Sequence, residues 1–210
     1  MSIQEALLAE EQTAAGLPAM QVRKRDGSLE PVDVGKIVRA VERCSGGLPR
    51  VDPMRVATRT ISGLCDGSTT RELDDLSIRT AAALIAEEPE YSRLAARLLL
   101  GFITKEVRGS QIMSFSQSIA AGHAAGVIND TTAEFVARYA RKLDDAINAL
   151  HDLSFEFFGL RTVYDRYLLR DPVERTVIEM PQYFLLRVAC GLSQSPDEAI
   201  ALYEHMASFD

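Results

Sequence analysis

The sequence is poor in the residues that build metal sites and disulfide frameworks. In 210 residues it has no tryptophan, three histidines and three cysteines, Cys44, Cys65 and Cys190. The cysteines are odd in number and form no CxxC pair, so we interpret them as small apolar fillers of a protein in a reducing compartment. The histidines are widely spaced and have no partners at ligand spacing, so we expect no metal site.

Long hydrophobic runs and an excess of basic residues are also missing. No apolar run approaches the roughly 18 residues of a membrane span. The N-terminal stretch MSIQEALLAEEQ has no basic region typical of a signal peptide. The net charge is −7, which disfavours a general nucleic-acid binder. We therefore expect a cytoplasmic protein with no nucleic-acid or membrane partner.

The common fingerprints of nucleotide-binding and catalytic loops are absent as well. There is no P-loop, no GxGxxG and no GxSxG. The paired carboxylates Asp74-Asp75 and Asp144-Asp145 fall in helical patterns and are interpreted as solvated faces. We therefore expect no catalytic residue, no metal and no intrinsic cofactor in this chain. Any nucleotide site must be of another type.

One stretch, VRKRDGSLEPVDVGKI at residues 22–37, combines several local signals. Asp26-Gly27 favours a tight hairpin turn, because glycine accepts a positive φ. Pro31 confines the returning strand to a sheet edge, since proline donates no ladder hydrogen bond. Asp33 fits a helix N-cap. The stretch predicts a hairpin followed by a helix.

The hairpin carries three adjacent cations, Arg23, Lys24 and Arg25. Two interpretations remain open on the residues alone. Such cations can simply discourage edge-to-edge aggregation of an exposed strand. Alternatively, some of them bind an anion, which requires further cations from elsewhere in the fold, such as Lys36 and Lys105.

The rest of the chain is predominantly helical in pattern. We expect helices over about 34–44, from Pro53, and over 72–87, 89–108, 131–151, 180–191 and 196–206, with a short extended piece at 68–70. Residues 1–19 form a variable acidic leader. Residues 20–108 form a four-helix unit capped by a small β-sheet, and residues 109–210 form an all-helical domain. The predicted fold class is α+β, mostly α.

The opening stretch resembles the ATP-cone, a regulatory domain at the N-terminus of many ribonucleotide reductase large subunits. The family pattern is V-x-K-R-D-G, then Glu, then Asp or Asn, then K-I. This chain matches it at Val22, Lys24, Arg25, Asp26, Gly27, Glu30, Asp33, Lys36 and Ile37. The segments DGSTTRELDD and YSRLAARLLLGFITKEV resemble later parts of the cone.

The second half resembles the helical region that precedes the catalytic barrel of the same large subunits. The segments that carry this resemblance are FEFFGLRTVYDRYLLRD and IEMPQYFLLRVACGL. The two resemblances together span nearly the whole chain in the family's order. They imply an ATP-cone followed by an all-helical domain.

The resemblance implies a site for ATP as activator and dATP as inhibitor, with magnesium. Phosphate contacts would come from Lys24, Arg25 and Lys105, and Thr70 and Asp74 would approach the ribose and phosphates. The adenine and ribose side would be lined by Glu30, Pro31, Val32, Asp33, Val34, Gly35 and Lys36. Family members carry His or Asp at the position of Asp74.

The family reduces ribonucleotides to deoxyribonucleotides, with a radical-generating small subunit and effector-dependent homo-oligomers. Its redox cysteines lie on a barrel, and none of the three cysteines here matches them. We therefore expect the barrel to lie outside this chain and the chain alone to be catalytically inactive. The alternatives are a free-standing nucleotide-sensing regulator, whose family carries a zinc ribbon before the cone, and a helical interaction module with no ligand. The leader has no cysteine for such a ribbon.

Overall fold

The computed structural model describes residues 20–24 and 27–208. It begins with an antiparallel hairpin of β1 (Gln21–Arg23) and β2 (Leu29–Pro31). The predicted extended piece at 68–70 forms a single parallel bridge from Arg23 to Thr69 rather than a strand. A backbone hydrogen bond of 2.9 Å from the Arg23 amide to the Ser68 carbonyl ties the hairpin to the helical unit.

Helices make up most of the remainder. In the described residues they are α1 (Val34–Ser45), α2 (Pro53–Ser62), α3 (Thr70–Ala83), α4 (Tyr91–Gly109), α5 (Phe115–Ala124), α6 (Asp130–Arg138), α7 (Ala140–Asp145), a 3₁₀-helix (Ala149–Ser154), α8 (Phe157–Arg166), α9 (Pro181–Leu192) and α10 (Pro196–Ser208). None of the helices in this described part is both long and apolar enough to cross a membrane. The mostly helical α+β class is confirmed.

Side-chain caps explain where the site-bearing helices begin. Asp33 accepts a hydrogen bond of 3.0 Å from the Lys36 amide, as an N-cap should. At α3, Thr69 and Glu72 form a reciprocal capping box. This box moves the helix start to Thr70, two residues before the predicted one. The predicted end at residue 87 is also wrong, because α3 stops at Ala83 and residues 84–87 form a turn before Pro89.

The single helix predicted over residues 131–151 is wrong, because three shorter elements occupy that span. Tyr139 leaves helical geometry at φ −115° and ψ 19°. Asn148 then accepts from the Leu150 amide, while its own amide donates to the Tyr203 hydroxyl at 3.1 Å. Local side-chain bonding and a long-range tertiary contact therefore replace the continuous helical ladder.

The apolar core is continuous across the predicted domain boundary. The N-terminal side is built on residues such as Val41, Val56 and Leu94. A second cluster joins Leu99 and Ile103 of α4 to side chains that follow the boundary, including Leu160, Tyr164 and Leu168. A third cluster lies within the C-terminal helices. Helix α4 therefore packs on both parts of the chain.

The cysteines fit the prediction only in part. Cys190 is buried and Cys44 is partly buried, whereas Cys65 is exposed. Burial raises the pKa of Cys190 to about 12, so its thiol stays protonated. Cys65 lies just before the Asp66-Gly67 turn, outside every apolar cluster of the described residues, so the interpretation as a filler is wrong for it.

Candidate functional site

A cavity of about 280 Å³ opens between α1, α3 and α4. Its lining includes Lys36 from α1, Thr70 and Asp74 from α3, and Lys105 from α4. These side chains are separated by up to about 70 positions in the sequence, so the fold alone brings them together. The size and polarity suit a small anionic ligand.

Two further cations of the same cavity escaped the sequence prediction. Arg39 and Arg43 line it together with Lys36, and the three follow one another at i, i+3 and i+7 along α1. That spacing places the three cations on one helical face. It is visible in the sequence and could have predicted that Arg39 and Arg43 lie beside Lys36. Apolar side chains also line the cavity, namely those of Ile37, Val41, Leu73 and Leu98.

Asp74 and Lys105 form an ion pair in the cavity wall. The Lys105 ammonium lies 2.6 Å from Oδ1 and 2.8 Å from Oδ2 of Asp74. The Asp74 side chain is only 24% exposed, so the interpretation of this carboxylate as a solvated face is wrong. Asp144 likewise accepts from the amide and hydroxyl of Ser116 instead of facing water alone. The Asp74–Lys105 pair presents both a cation and a hydroxyl acceptor to a ligand.

The hairpin contributes its cations to the edge of the site. Lys24 pairs with Glu30, and the Lys36 ammonium lies 4.0 Å from the other Glu30 oxygen. Lys24 does not line the first cavity. It lines a second, more open cavity of about 550 Å³, and Thr70 belongs to both. The remaining predicted phosphate contact, Arg25, lies outside the described residues.

The other residues predicted from the hairpin and the start of α1 flank the first cavity rather than line it. Asp33 lies 3.5 Å from the Arg39 guanidinium, measured from Oδ2 to Nη2. A Cβ at Gly35 would lie 2.9 Å from the same guanidinium, so a larger residue would displace Arg39. Val32 is partly buried against the apolar cluster that contains Val41, Val56 and Leu94, whereas Pro31 and Val34 are exposed.

Beneath the second cavity lies a buried carboxylate that sequence reasoning missed. Glu106 follows Lys105 on α4, and its Oε1 is 2.7 Å from the Arg71 guanidinium. The Tyr164 hydroxyl of α8 donates to Glu106 Oε2 at 3.1 Å. Burial, with the Glu106 charge beside it, raises the pKa of Tyr164. Glu106 therefore joins the cavity wall to the helical region.

Metal-ligating side chains are not clustered in the described residues. No group of three His, Cys, Asp or Glu side chains in residues 20–24 and 27–208 could hold a metal ion. The Nε2 atom of His123 lies 2.8 Å from Oδ1 of Asp130 on the surface.

Two family models match the chain. Residues 20–106 match the ATP cone domain, and residues 153–210 match the ribonucleotide reductase all-alpha domain. The first match includes the hairpin and all the cavity-lining residues named above, up to and including Glu106. The second covers α8 with Tyr164, α9 and α10.

Curated relatives match both parts in one alignment. The ribonucleoside-diphosphate reductase large subunit of Arabidopsis thaliana is 34% identical over 200 residues, which is 90% of this chain and 24% of the relative. That of Caenorhabditis elegans is 37% identical over 178 residues, 81% of this chain and 22% of the relative. The large chain of Schizosaccharomyces pombe is 34% identical over 196 residues. The chain spans about a quarter of the length of these relatives.

The order of the two matched domains and the alignments that run through both agree with the resemblance of the sequence motifs. The chain carries an ATP cone followed by the ribonucleotide reductase all-alpha domain, and over most of its length it is similar to ribonucleoside-diphosphate reductase large subunits.

Proposed function

We propose that this chain is the allosteric nucleotide-binding region of a ribonucleoside-diphosphate reductase large subunit. It binds ATP as activator and dATP as inhibitor, with magnesium on the phosphates. The observation that carries the proposal is the convergence of Lys36, Thr70, Asp74 and Lys105 on one cavity. Their positions are those that the cone motif assigns to the nucleotide.

The charges around the cavity favour a triphosphate over a neutral ligand. Four cations line the cavity, Lys36, Arg39, Arg43 and Lys105, and among the described lining residues Asp74 is the single carboxylate. Cations near a polyanion form charge-assisted hydrogen bonds worth about 1.5–3 kcal/mol each. Lys24, at the edge of the adjoining cavity, extends this positive wall toward the hairpin. The apolar lining residues would supply a surface for the base.

ATP and dATP differ by one hydroxyl, and Asp74 is the acceptor that would distinguish them. One hydrogen bond is worth about 1 kcal/mol net, so the two affinities should differ by less than about tenfold. Regulation then requires that the two nucleotides favour different arrangements of the protein. Such arrangements would involve effector-dependent homo-oligomers and the radical-generating small subunit. The reduction of ribonucleotides itself would take place on the barrel of the large subunit, in the cytoplasm.

Calorimetric titration of the folded chain with ATP and with dATP, at millimolar magnesium, tests the proposal. We expect saturable binding of both nucleotides. Absence of binding at millimolar nucleotide would refute it. Light scattering of the same samples would report whether the particle mass differs between the two effectors.

Substitutions sharpen the test. Lys105→Ala and Lys24→Ala should each weaken ATP binding by about 10- to 100-fold, because each removes one charge-assisted contact. Arg23→Ala is the matched control, since Arg23 is an exposed cation that precedes Lys24 in the same hairpin and also lines the second cavity. It should change the dissociation constant by less than about threefold. Equal effects of all three variants would contradict the phosphate assignment.

A further inference from the structure

Arg71 stands between the proposed nucleotide site and the helical region. It directly follows Thr70 on α3 and lines the second cavity together with Thr70 and Lys24. Its side chain is 52% exposed and pairs with Glu106 across 2.7 Å. The guanidinium also lies 5.2 Å from the centre of the Phe102 ring. The exposed guanidinium at this cavity presents several N–H donors that can bind a new anion.

Glu106, in contrast, is buried and cannot move with the Arg71 side chain toward a ligand. Its side chain is 2% exposed. Apart from Arg71, its partner is the Tyr164 hydroxyl, and the Tyr164 ring is covered by the Arg170 guanidinium at 4.6 Å. Removing one partner of a buried ion pair leaves an uncompensated charge, which is strongly unfavourable. The state of Arg71 must therefore affect the environment of Tyr164.

A triphosphate that reaches the second cavity would compete with Glu106 for Arg71. The two cavities share Thr70, and Lys24, a proposed phosphate contact, lies in the second one. The second cavity is also lined by Glu174 and Thr176, from the loop between α8 and α9. The end of a ligand that runs from the first cavity into the second would thus lie beside Arg71 and close to the helical region.

We propose that Arg71 is a phosphate-binding residue that exchanges Glu106 for the ligand, and that this exchange carries nucleotide occupancy to Tyr164 of the all-alpha domain. The inference rests on the proposed function, because the phosphate is that of the bound nucleotide. Linkage requires the reverse effect too. Whatever weakens the Arg71–Glu106 pair makes Arg71 more available and tightens nucleotide binding.

The test is calorimetric titration of the full chain with ATP and magnesium. Arg71→Gln should weaken ATP binding by about tenfold. Arg79→Gln is the matched control, because Arg79 lies on the same helix and pairs with Asp75 at the surface; it should leave the dissociation constant within about twofold. Glu106→Gln should tighten ATP binding several-fold, a gain that a merely structural role would not produce. In the Arg71→Gln background the same Glu106→Gln substitution should give no gain.

Hydrogen exchange supplies a second readout. ATP should change the exchange of amides in α8 around Tyr164 in the wild-type chain, and Tyr164→Phe should reduce that change while the ATP affinity stays within about threefold. If the wild type binds ATP but Arg71→Gln matches Arg79→Gln, the inference is wrong and the proposed function stands. If Glu106→Gln tightens ATP binding in the Arg71→Gln background as well, the gain comes from the removed negative charge alone, and the proposed exchange is wrong. If the wild type binds no ATP, both proposals fail.

Discussion

Asp152 is a buried carboxylate whose ionisation should oppose folding. It lies in the 3₁₀-helix and is 5% exposed. The Gln182 side-chain amide donates to its Oδ1 at 2.9 Å, and Gln182 in turn accepts from the Tyr203 hydroxyl at 3.0 Å. Burial raises the pKa of Asp152 from 3.8 to about 6, and the Gln182 hydrogen bond offsets only part of this. Within the described residues Asp152 forms no ion pair with a cation.

The sign of the pH dependence follows from this shift. A carboxyl whose pKa is higher in the folded state binds its proton more tightly there, so it favours folding below about pH 4 and loses that contribution as pH rises through about 6. A difference of about two pKa units corresponds to about 3 kcal/mol. Asp152→Asn removes the ionisation but keeps an oxygen for the Gln182 amide. The variant should therefore gain about 3 kcal/mol relative to wild type between pH 4 and pH 7.

Urea denaturation of both proteins at pH 4, 5, 6 and 7, followed by circular dichroism, measures this difference. Other carboxylates titrate equally in the two proteins and cancel. Asp197→Asn, at an exposed carboxylate that pairs with Lys142, serves as the control and should show a much flatter difference. A stability difference between Asp152→Asn and wild type that stays constant from pH 4 to pH 7 would refute the reasoning.

Two further substitutions test the packing of the helical region and the shared core. Arg187→Met leaves the fully buried Glu179 without its cation and should lower the unfolding free energy by about 3–5 kcal/mol; combining it with Glu179→Gln should restore much of the loss, as measured by urea denaturation. Leu99→Ala, in the cluster that joins the two matched domains, should cost about 2–5 kcal/mol and lower Tm. Leu192→Ala, at an exposed position, should leave Tm almost unchanged.

Local signals in the sequence predicted the hairpin and the starts of α1 and α2. The Asp26-Gly27 turn signal and Pro31 led to a two-stranded edge hairpin, and the structure pairs residues 21–23 with 29–31. Asp33 and Pro53 mark helix starts because capping and proline preferences involve only the neighbouring backbone. Such signals need no knowledge of the rest of the fold.

Features set by tertiary contacts could not be predicted in the same way. The last break in the 131–151 span involves the Tyr203 hydroxyl, which accepts from the Asn148 amide and comes from far along the chain. The burial of Glu106 depends on Arg71 and Tyr164, two partners that no spacing rule connects. Charged residues in an amphipathic pattern are normally assigned to the solvent side. Hydrophobic periodicity therefore cannot predict that a carboxylate is buried.

The shared helix α4 limits how a nucleotide can influence the all-alpha domain. Leu99 and Ile103 are fully buried between the two parts. Close-packed apolar side chains such as these have no alternative contacts to form when a ligand binds. A ligand shifts an equilibrium only through contacts that differ between two states. On α4 such contacts exist near its C-terminal end, where Lys105 pairs with Asp74 and Glu106 pairs with Arg71. Both are ion pairs with an exposed cation that an anionic ligand can attract. The apolar part of α4 would then serve as the fixed frame, and the adjacent pair of charged residues as the part that responds.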